Sequence, residues 1–322
     1  MKTEVLKADA AGIARAAEVL RAGGLVAFPT ETVYGLGGVA TRDEAVERIF
    51  TAKGRPSRNP LIAHVGAPEV ARRIAVFDER AERLVARFWP GPLTIVLPRR
   101  PGSGLSPRVS AGLPTVAVRM PAHPVALALL RAVDEPVAAP SANRSGRTSP
   151  TTAEHVLADL AGRIELVLDA GPCEVGVEST VVDLSEPDRA LLLRPGGLPR
   201  AEIEAVIGPL EGRRPGEPVR SPGLVGRHYA PSKPVRLDVR EVAPDEGLLA
   251  FGEDVPPGAK VTLNLSPAGD LAEAARSPFA MLRELDRADV RAIAVVPIPG
   301  EGLGEAIRDR LRRAAMEAPA DA

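Results

Sequence analysis

The sequence contains one cysteine, four histidines and only 3% aromatic residues among its 322 positions. A single cysteine, Cys173, excludes an internal disulfide framework and any cysteine-rich zinc site. It is also typical of a protein in a reducing compartment. Cys173 lies in a turn rich in glycine and proline without a paired histidine in view, which argues against a catalytic thiol.

Long apolar runs are absent as well. None approaches the roughly 20 residues of a membrane span, and the N-terminus lacks the apolar core of a signal peptide. We therefore expect a soluble cytoplasmic protein without membrane contact. A net charge of −1 argues against extensive coating of nucleic acid, although a local basic patch remains possible.

Two nucleotide-binding signatures can be tested directly. No G-x-x-x-x-G-K-[ST] motif is present, which excludes a P-loop. Residues Gly35–Ala40 fit G-x-G-x-x-A, but a dinucleotide site also needs an acidic residue at the end of the next strand, which here ends in His64. We therefore predict that these glycines allow a tight turn. The sequence also shows no metal-ligand cluster.

The order of apolar segments predicts an α/β fold. Continuous apolar runs such as Leu25–Phe28 are typical of buried strands, and they alternate with helical patterns over residues 1–207. One helix is expected to start with a capping box formed by Thr41 and Glu44. The later strands lack helices between them, so we expect a mixed sheet that is partly antiparallel.

Residues 208–234 differ in composition from both flanks. Eleven of these 27 residues are glycine or proline, which is typical of an interdomain linker. The segment also carries Arg220, Arg227, His228 and Tyr229, which a simple spacer would not need. A second alternation of strands and helices over residues 235–322 predicts a smaller open α/β domain.

The segment Lys53–Pro60 carries three positive charges and is interrupted by a glycine and two prolines. It cannot continue the helix before it, and clustered cations on a short rigid loop favour binding of a polyphosphate. A solvated basic turn is the alternative for an isolated segment of this kind.

Polar side chains also stand where predicted strands end. In open α/β sheets, ligands bind at such strand ends. Each residue alone has a simpler explanation as a turn former or an ion-pair partner. Together they would form a cationic pocket suited to charge stabilisation rather than covalent catalysis. The set comprises Thr30, Thr32, His64, Arg119, Ser141, Asn143, Ser179, Thr180 and Arg194.

Several stretches in order along the first 205 residues resemble the YrdC-like family, whose hallmark is a K-x-R element paired with an S-x-N element. Here these are Lys53/Arg55 and Ser141/Asn143. The other stretches are Phe28–Leu36, Asn59–Leu61, Phe88–Thr94, Arg119–Pro121 and Gly176–Asp183. The resemblance implies a twisted open mixed sheet for the first domain.

The motif Arg227–Pro231 and the second domain resemble the long branch of this family, the L-threonylcarbamoyladenylate synthases. The resemblance implies a small Rossmann-like second domain. It also implies a nucleotidyltransferase that combines L-threonine, bicarbonate or CO2, and ATP into threonylcarbamoyl-AMP and pyrophosphate. A partner transferase would pass the threonylcarbamoyl group to tRNA, which this chain itself would contact weakly if at all.

The same resemblance implies residue roles. Lys53 and Arg55 would be the catalytic cations on the ATP phosphates, and Tyr229 would cover the nucleotide, making the linker a lid. Mg2+ would arrive with ATP, held by phosphate oxygens and water, with no protein metal site. The remaining nucleotide ligands would be Asn59, Thr115, Ser141, Asn143, Ser149 and Arg194. Threonine would be bound by Thr32, His64, Arg119, Ala139 and Ser179.

Two other functions stay open at this point. One is an RNA-binding module of the same fold without catalysis, although single-stranded RNA binding usually needs more aromatic stacking than this composition offers. The other is a related carbamoyl-transfer enzyme. Such relatives carry a large extra catalytic domain, whereas the second domain here has only about 85 residues.

Overall fold

The computed structural model describes residues 1–212 and 228–316. The predicted linker residues Arg220 and Arg227 lie outside these ranges. No helix within them combines the length and the apolar character that crossing a membrane requires.

The first domain is built on one mixed sheet, as predicted. Its strand order is β1-β8-β2-β3-β7-β4-β6-β5-β9-β10-β11, with parallel and antiparallel pairs interleaved. The expected antiparallel pairing late in the domain is present between β9 and β10. The strands are β1 Glu4–Lys7, β2 Val26–Phe28, β3 Gly35–Val39, β4 Ile62–His64, β5 Leu93–Pro98, β6 Thr115–Arg119, β7 Val137–Ala138, β8 Leu166–Asp169, β9 Thr180–Asp183, β10 Leu191–Arg194 and β11 Glu211–Gly212.

Helices cover both faces of this sheet, so most strands are buried throughout. On one face, Leu20 and Leu129 of helices α1 and α5 pack into one apolar cluster. On the other, Ile49 and Leu84 of α2 and α4 belong to the largest cluster of the protein. The helices are α1 Ala10–Arg21, α2 Asp43–Lys53, α3 Pro68–Ile74, α4 Glu79–Phe88, α5 Pro124–Val133, α6 Ala153–Leu160 and α7 Arg200–Ile207.

Two local predictions are wrong. The glycines from Gly35 to Gly38 do not form a tight turn but belong to β3, which pairs antiparallel with β2. At Gly37 a Cβ atom would lie 2.8 Å from the Phe28 ring and 2.9 Å from Val137, so glycine is needed there for close packing. Thr41 does not cap α2, because its hydroxyl donates to Glu135 and Arg42 is the N-cap residue.

The second domain is a parallel four-stranded sheet in the described residues, with the order β12-β15-β13-β14. This arrangement confirms the predicted small α/β fold. Its strands are β12 Val235–Arg236, β13 Gly247–Ala250, β14 Val261–Asn264 and β15 Ile293–Val295, and its helices are α8 Leu271–Arg276, α9 Pro278–Arg287 and α10 Leu303–Ala315. Helix α8 and strand β1 are elements that the sequence patterns did not predict.

The two domains are packed against each other. Val177 of the first domain is fully buried in the apolar core of the second. Its neighbour Gly176 has φ +79°, and a Cβ atom there would lie 2.4 Å from the carbonyl oxygens of Ala275 and Arg276. Only glycine satisfies both demands. The loop that precedes β9 therefore touches the second domain directly, and this loop leads into the site described next.

The predicted domain boundaries remain predictions. Helix α7 ends at Ile207 and β12 begins at Val235, close to the predicted limits of 207 and 235. Within the predicted linker, however, β11 adds a short parallel strand to the first sheet beside β10.

Candidate active site

A cavity lies at the centre of the first sheet, where β4, β6 and β10 end and where the second domain approaches. Most of the strand-end polar residues singled out from the sequence meet in it. The lining residues are Thr30, Val33, Gly35, Arg55, Ile62, His64, Arg119, Ala139, Pro140, Ser141, Glu178, Ser179, Arg194, His228 and Tyr229.

Three arginines line this cavity, and each is more than nine-tenths buried. Arg55 follows Gly54, whose left-handed backbone ends α2, and it donates to the carbonyls of Asn59 and Pro60. Burial lowers the pKa of Arg55 to about 10, so its guanidinium is charged at neutral pH. Arg119 and Arg194 are the last residues of β6 and β10. The cavity is therefore a buried cationic site.

Lys53 lies behind the cavity wall and supports a loop. Its ammonium donates to the carbonyls of Ser141 and Asn143 and lies 3.4 Å from Asn143 Oδ1. The Asn143 amide in turn donates to the carbonyls of Arg144 and Arg147. Burial, and next the charge of Arg55, holds the pKa of Lys53 well below its usual value. In this arrangement Lys53 and Asn143 shape the loop that presents Ser141 to the cavity.

What we call the strand-end wall consists of the lining residues His64, Arg119 and Ser179 together with Glu31 and Thr32, which contact the lining residues Arg119 and Thr30. His64 and Arg119 are paired neighbours on β4 and β6. The Thr32 hydroxyl lies 2.8 Å from that of Thr30, and the Ser179 hydroxyl lies 2.7 Å from that of Thr94. All five residues belong to the first domain.

His64 adds no charge to this wall at neutral pH. Burial, and next the charge of Arg119, lowers the pKa of His64 to about 3. Its Nδ1 lies 3.2 Å from the carbonyl oxygen of Ile62. The backbone N–H of the lining residue Ala139 donates to the same carbonyl. A neutral imidazole can therefore contact a ligand without repelling a cationic group on it.

A second group, which we call the loop wall, consists of the lining residues Arg55, Glu178 and Tyr229 together with Ser149, which bonds to Glu178. The Ser149 hydroxyl donates to Glu178. Tyr229 is 1% exposed, and its ring packs on Phe279 of α9 with 5.5 Å between the ring centroids. Arg194 joins the two walls, because it donates to the carbonyl and hydroxyl of Ser179 and also bonds to Tyr229.

Six predicted ligands do not line the cavity itself in this structure, namely Lys53, Asn59, Thr115, Asn143 and Ser149 for the nucleotide and Thr32 for threonine. Asn59 is 5% exposed and its Oδ1 has no hydrogen-bond partner among the described residues. Thr115 begins β6, about 13 Å along the strand from Arg119. The assignment of each residue to one ligand therefore stays a prediction.

The carboxylates of the site were missed from the sequence. Glu31 accepts a hydrogen bond of 2.7 Å from Arg119, and both side chains are at most 7% exposed. Glu178 lines the cavity itself. Glu31 directly precedes Thr32, and Glu178 directly precedes Ser179. Their position next to two predicted site residues could have pointed to them.

His228 and Tyr229 also line the cavity. They belong to the C-terminal part of the predicted linker, which the structure describes from residue 228 onward. Their ring centroids lie 4.1 Å apart. Burial, and next the charges of Arg55 and Lys53, holds the pKa of His228 well below its usual value. The same burial raises the pKa of Tyr229, so both rings are neutral near pH 7. Because residues 213–227 are outside the described ranges, the lid role of the linker stays a prediction.

Taken together, the site can bind anions in a partly dry cavity and stabilise negative charge that develops during a reaction. Nucleophilic catalysis by Cys173 does not fit, because burial raises the pKa of this thiol to about 12. Within residues 1–212 and 228–316, no three His, Cys, Asp or Glu side chains are grouped as metal ligands.

Comparison with known proteins identifies both parts of the chain. Residues 18–196 match the family model Sua5_yciO_yrdC, described as "Telomere recombination". Residues 198–316 match the model described as "Threonylcarbamoyl-AMP synthase, C-terminal domain". The second match begins at α7, ahead of the predicted boundary at residue 235.

Similar proteins match along nearly the whole chain. A threonylcarbamoyl-AMP synthase of Pyrococcus abyssi is 47% identical over 93% of this chain and 92% of its own length. The Bacillus subtilis protein of the same name is 43% identical over 97% and 95%. The crystal structure of P. abyssi Sua5 complexed with L-threonine superimposes with a TM-score of 0.88 at 42% identity, covering 98% of this chain and 97% of that one.

Proposed function

The chain belongs to the threonylcarbamoyl-AMP synthase family, and we propose that it makes threonylcarbamoyl-AMP from L-threonine, bicarbonate or CO2, and ATP. Threonine and bicarbonate first give N-carboxythreonine and water. A carboxylate oxygen of this carbamate then forms a bond to the α-phosphorus of ATP, and the bond between that phosphorus and pyrophosphate breaks. The product is used to modify tRNA.

One observation carries this proposal: three buried arginines, Arg55, Arg119 and Arg194, line a single cavity. The reaction brings a carbamate against a triphosphate, so two anions must approach each other. Fixed positive charges in a site that excludes water lower the free energy of this approach and of the charge that leaves with pyrophosphate. A reaction of this kind needs no nucleophilic side chain.

The strand-end wall would bind threonine. Arg119 uses Nε for the carbonyl of Gly91 and one Nη2 hydrogen for Glu31, and its remaining N–H groups are available for the threonine carboxylate. The hydroxyls of Thr32 and Ser179 and the neutral ring of His64 would bind the rest of the molecule. The similar P. abyssi Sua5, whose crystal structure is a complex with L-threonine, supports this choice of substrate.

The loop wall would bind ATP. Arg55 would contact the phosphates together with Asn59, whose side-chain N–H groups can donate to phosphate oxygens. Lys53 would act through the loop that it holds, by fixing Ser141. Tyr229 would cover the nucleotide, which would exclude water from the reacting groups.

We expect Mg2+ to bind with ATP. Glu178 accepts from Ser149 and Arg310 with its two oxygens, and Glu31 accepts from Arg119 with Oε1, which leaves only Glu31 Oε2 without a hydrogen-bond partner among the described residues. This donor set fits an ion held by phosphate oxygens and water rather than by a protein cage. The ion would neutralise phosphate charge, while the protein supplies the arginines.

The family membership supports catalysis over a non-catalytic RNA-binding module. Burial supports it as well, because the cations of the site line a cavity and are not displayed on a surface that could bind RNA. The match of residues 198–316 to the synthase-specific domain favours this reaction over carbamoyl transfer. A separate transferase would receive the product, with weak tRNA contact by this chain at most, in the cytoplasm.

The proposal is tested by mixing the pure protein with threonine, bicarbonate, ATP and Mg2+ and analysing the mixture by mass spectrometry. We expect a threonylcarbamoyl-adenylate together with an equal amount of pyrophosphate. With 13C-bicarbonate, the mass of the adenylate should rise by one unit, whereas that of pyrophosphate should not.

Serine in place of threonine, and omission of bicarbonate, serve as controls. The proposed function would be wrong if the folded protein gave ADP and phosphate, or an adenylate without the bicarbonate carbon.

A further inference from the structure

Arg310 is an unusual residue in the second domain. It lies in the middle of α10, yet its side chain is 0% exposed. A buried guanidinium is costly unless it is paired and hydrogen-bonded. Its Nη1 donates to Asp309 at 2.6 Å, within the same helix. Its Nε donates across the domain boundary to Glu178 Oε2, also at 2.6 Å.

The partner, Glu178, belongs to the loop wall of the cavity. One of its oxygens accepts from Arg310 and the other from the hydroxyl of Ser149. Its backbone carbonyl accepts from the N–H of Gly197. Burial alone would raise the pKa of Glu178, but the charges of Arg310 and Arg194 outweigh burial and lower it. Glu178 is therefore an ionised group on the wall of the cavity.

Arg310 also contacts the ring that closes the site. Its guanidinium carbon lies 5.1 Å from the centroid of the Tyr229 ring, within the range of a cation–π contact. The Tyr229 ring also packs against the ring of Phe279 in α9. Hence the second domain holds both Glu178 and Tyr229 through residues of two different helices.

We propose that Arg310 is a positioning residue for the nucleotide, through which the second domain completes the loop wall. This inference rests on the proposed function. Arg310 orients Glu178 toward Ser149, supports the Tyr229 ring, and compensates a carboxylate that would otherwise face the triphosphate. Without Arg310, Glu178 would repel ATP, because like charges in a poorly hydrated site interact strongly.

Among the described residues, no side-chain hydrogen bond or ion pair of the strand-end wall runs to the second domain. Arg119 is paired with Glu31, and Ser179 with Thr94, all within the first domain. Loss of Arg310 should therefore affect ATP and leave threonine largely unaffected. This selectivity separates positioning of the nucleotide from a general role in folding, which would reduce the amount of active enzyme for both substrates alike.

The test measures the formation of threonylcarbamoyl-AMP by the full chain carrying Arg310→Met, with ATP and threonine varied separately. Loss of a charged hydrogen bond should raise KM for ATP by about tenfold or more, while KM for threonine stays within about twofold. The matched control is Arg312→Met, an exposed position on the same helix, which should change neither constant.

A second variant combines Arg310→Met with Glu178→Gln. It removes the unpaired negative charge while keeping an acceptor for Ser149, so KM for ATP should recover to within about threefold of wild type. Equal rises in both constants for Arg310→Met, or no recovery in the double variant, would overturn the inference.

Arg310→Lys takes the place of Arg310→Met if the latter does not fold. Lysine keeps the charge but lacks the planar fork, so KM for ATP should rise severalfold with threonine unchanged. An Arg310→Lys enzyme with unaltered or equally altered constants would contradict the inference. If the wild-type protein itself forms no product, the proposed function fails instead.

Discussion

The two walls of the cavity are built in different ways. The strand-end wall lies in the first domain, and its buried ion pair, Arg119 with Glu31, is formed within that domain. The loop wall contains a second buried ion pair, Glu178 with Arg310, whose cation comes from the other domain. On the proposed function, this difference predicts that threonine recognition is complete in the first domain, whereas nucleotide recognition requires both domains.

The largest effect is expected at Arg119, the cation of the strand-end wall. Arg119→Met removes the group that would bind the threonine carboxylate and leaves Glu31 as an unpaired buried charge. We expect kcat/KM for threonine to fall by at least about a thousandfold, measured as initial rates of adenylate formation. The comparison of walls would be wrong if the loss appeared instead in KM for ATP.

Lys53 is expected to have the next largest effect. Lys53→Ala leaves the loop from Ser141 to Asn143 without its three contacts, and turnover should drop on the order of a hundredfold. Arg58→Ala, an exposed cation in the same basic segment, is the control and should leave the rate unchanged. Equal rates for Lys53→Ala and wild type would mean that the loop keeps its active shape without Lys53.

A smaller effect is expected at Tyr229. Tyr229→Ala removes the ring that contacts both Arg310 and Phe279, and KM for ATP should rise about tenfold through the lost stacking and packing. Tyr229→Phe keeps the ring, so its KM for ATP should rise less. If both variants bind ATP as wild type does, Tyr229 does not cover the nucleotide.

The smallest effect concerns stability and pH. Because the pKa of His64 is about 3 in the folded protein and 6.5 in an exposed chain, only the unfolded state gains this proton as pH falls below 6.5. The free energy of unfolding should therefore drop by about 2 kcal/mol between pH 6.5 and pH 5 on account of His64. Urea titrations of wild type and His64→Asn check this, and the variant should lose correspondingly less stability. Identical losses would show that His64 is not the group responsible.

The sequence predicted the strand-end wall better than the loop wall. Alternating apolar runs and helical patterns place His64 and Arg119 at strand ends, so their convergence follows from the rules of α/β sheets. The prediction for the glycines of β3 was wrong, because the close approach of Phe28 and Val137 to Gly37 is set by tertiary packing.

The partner of Arg310 in the first domain could not have been found from sequence patterns. Helix α10 carries Arg308, Arg310, Arg312 and Arg313, and helical spacing places Arg310 on the same buried face as Ile307, Leu311 and Ala314. What pairs Arg310 with Glu178 is the approach of the Gly176–Glu178 loop to the second domain, a contact between residues more than 130 positions apart. Patterns along the chain report periodicity and turns, and they carry no information on how two domains dock.

The most direct test of the two-wall account is calorimetric titration of threonine and of ATP into Glu31→Gln and Arg310→Met. Glu31→Gln disturbs Arg119 and should weaken threonine binding about tenfold with little change for ATP. Arg310→Met should do the reverse. If both variants weaken both ligands to the same extent, the walls are not separate and the second domain supports the whole cavity instead of its nucleotide side.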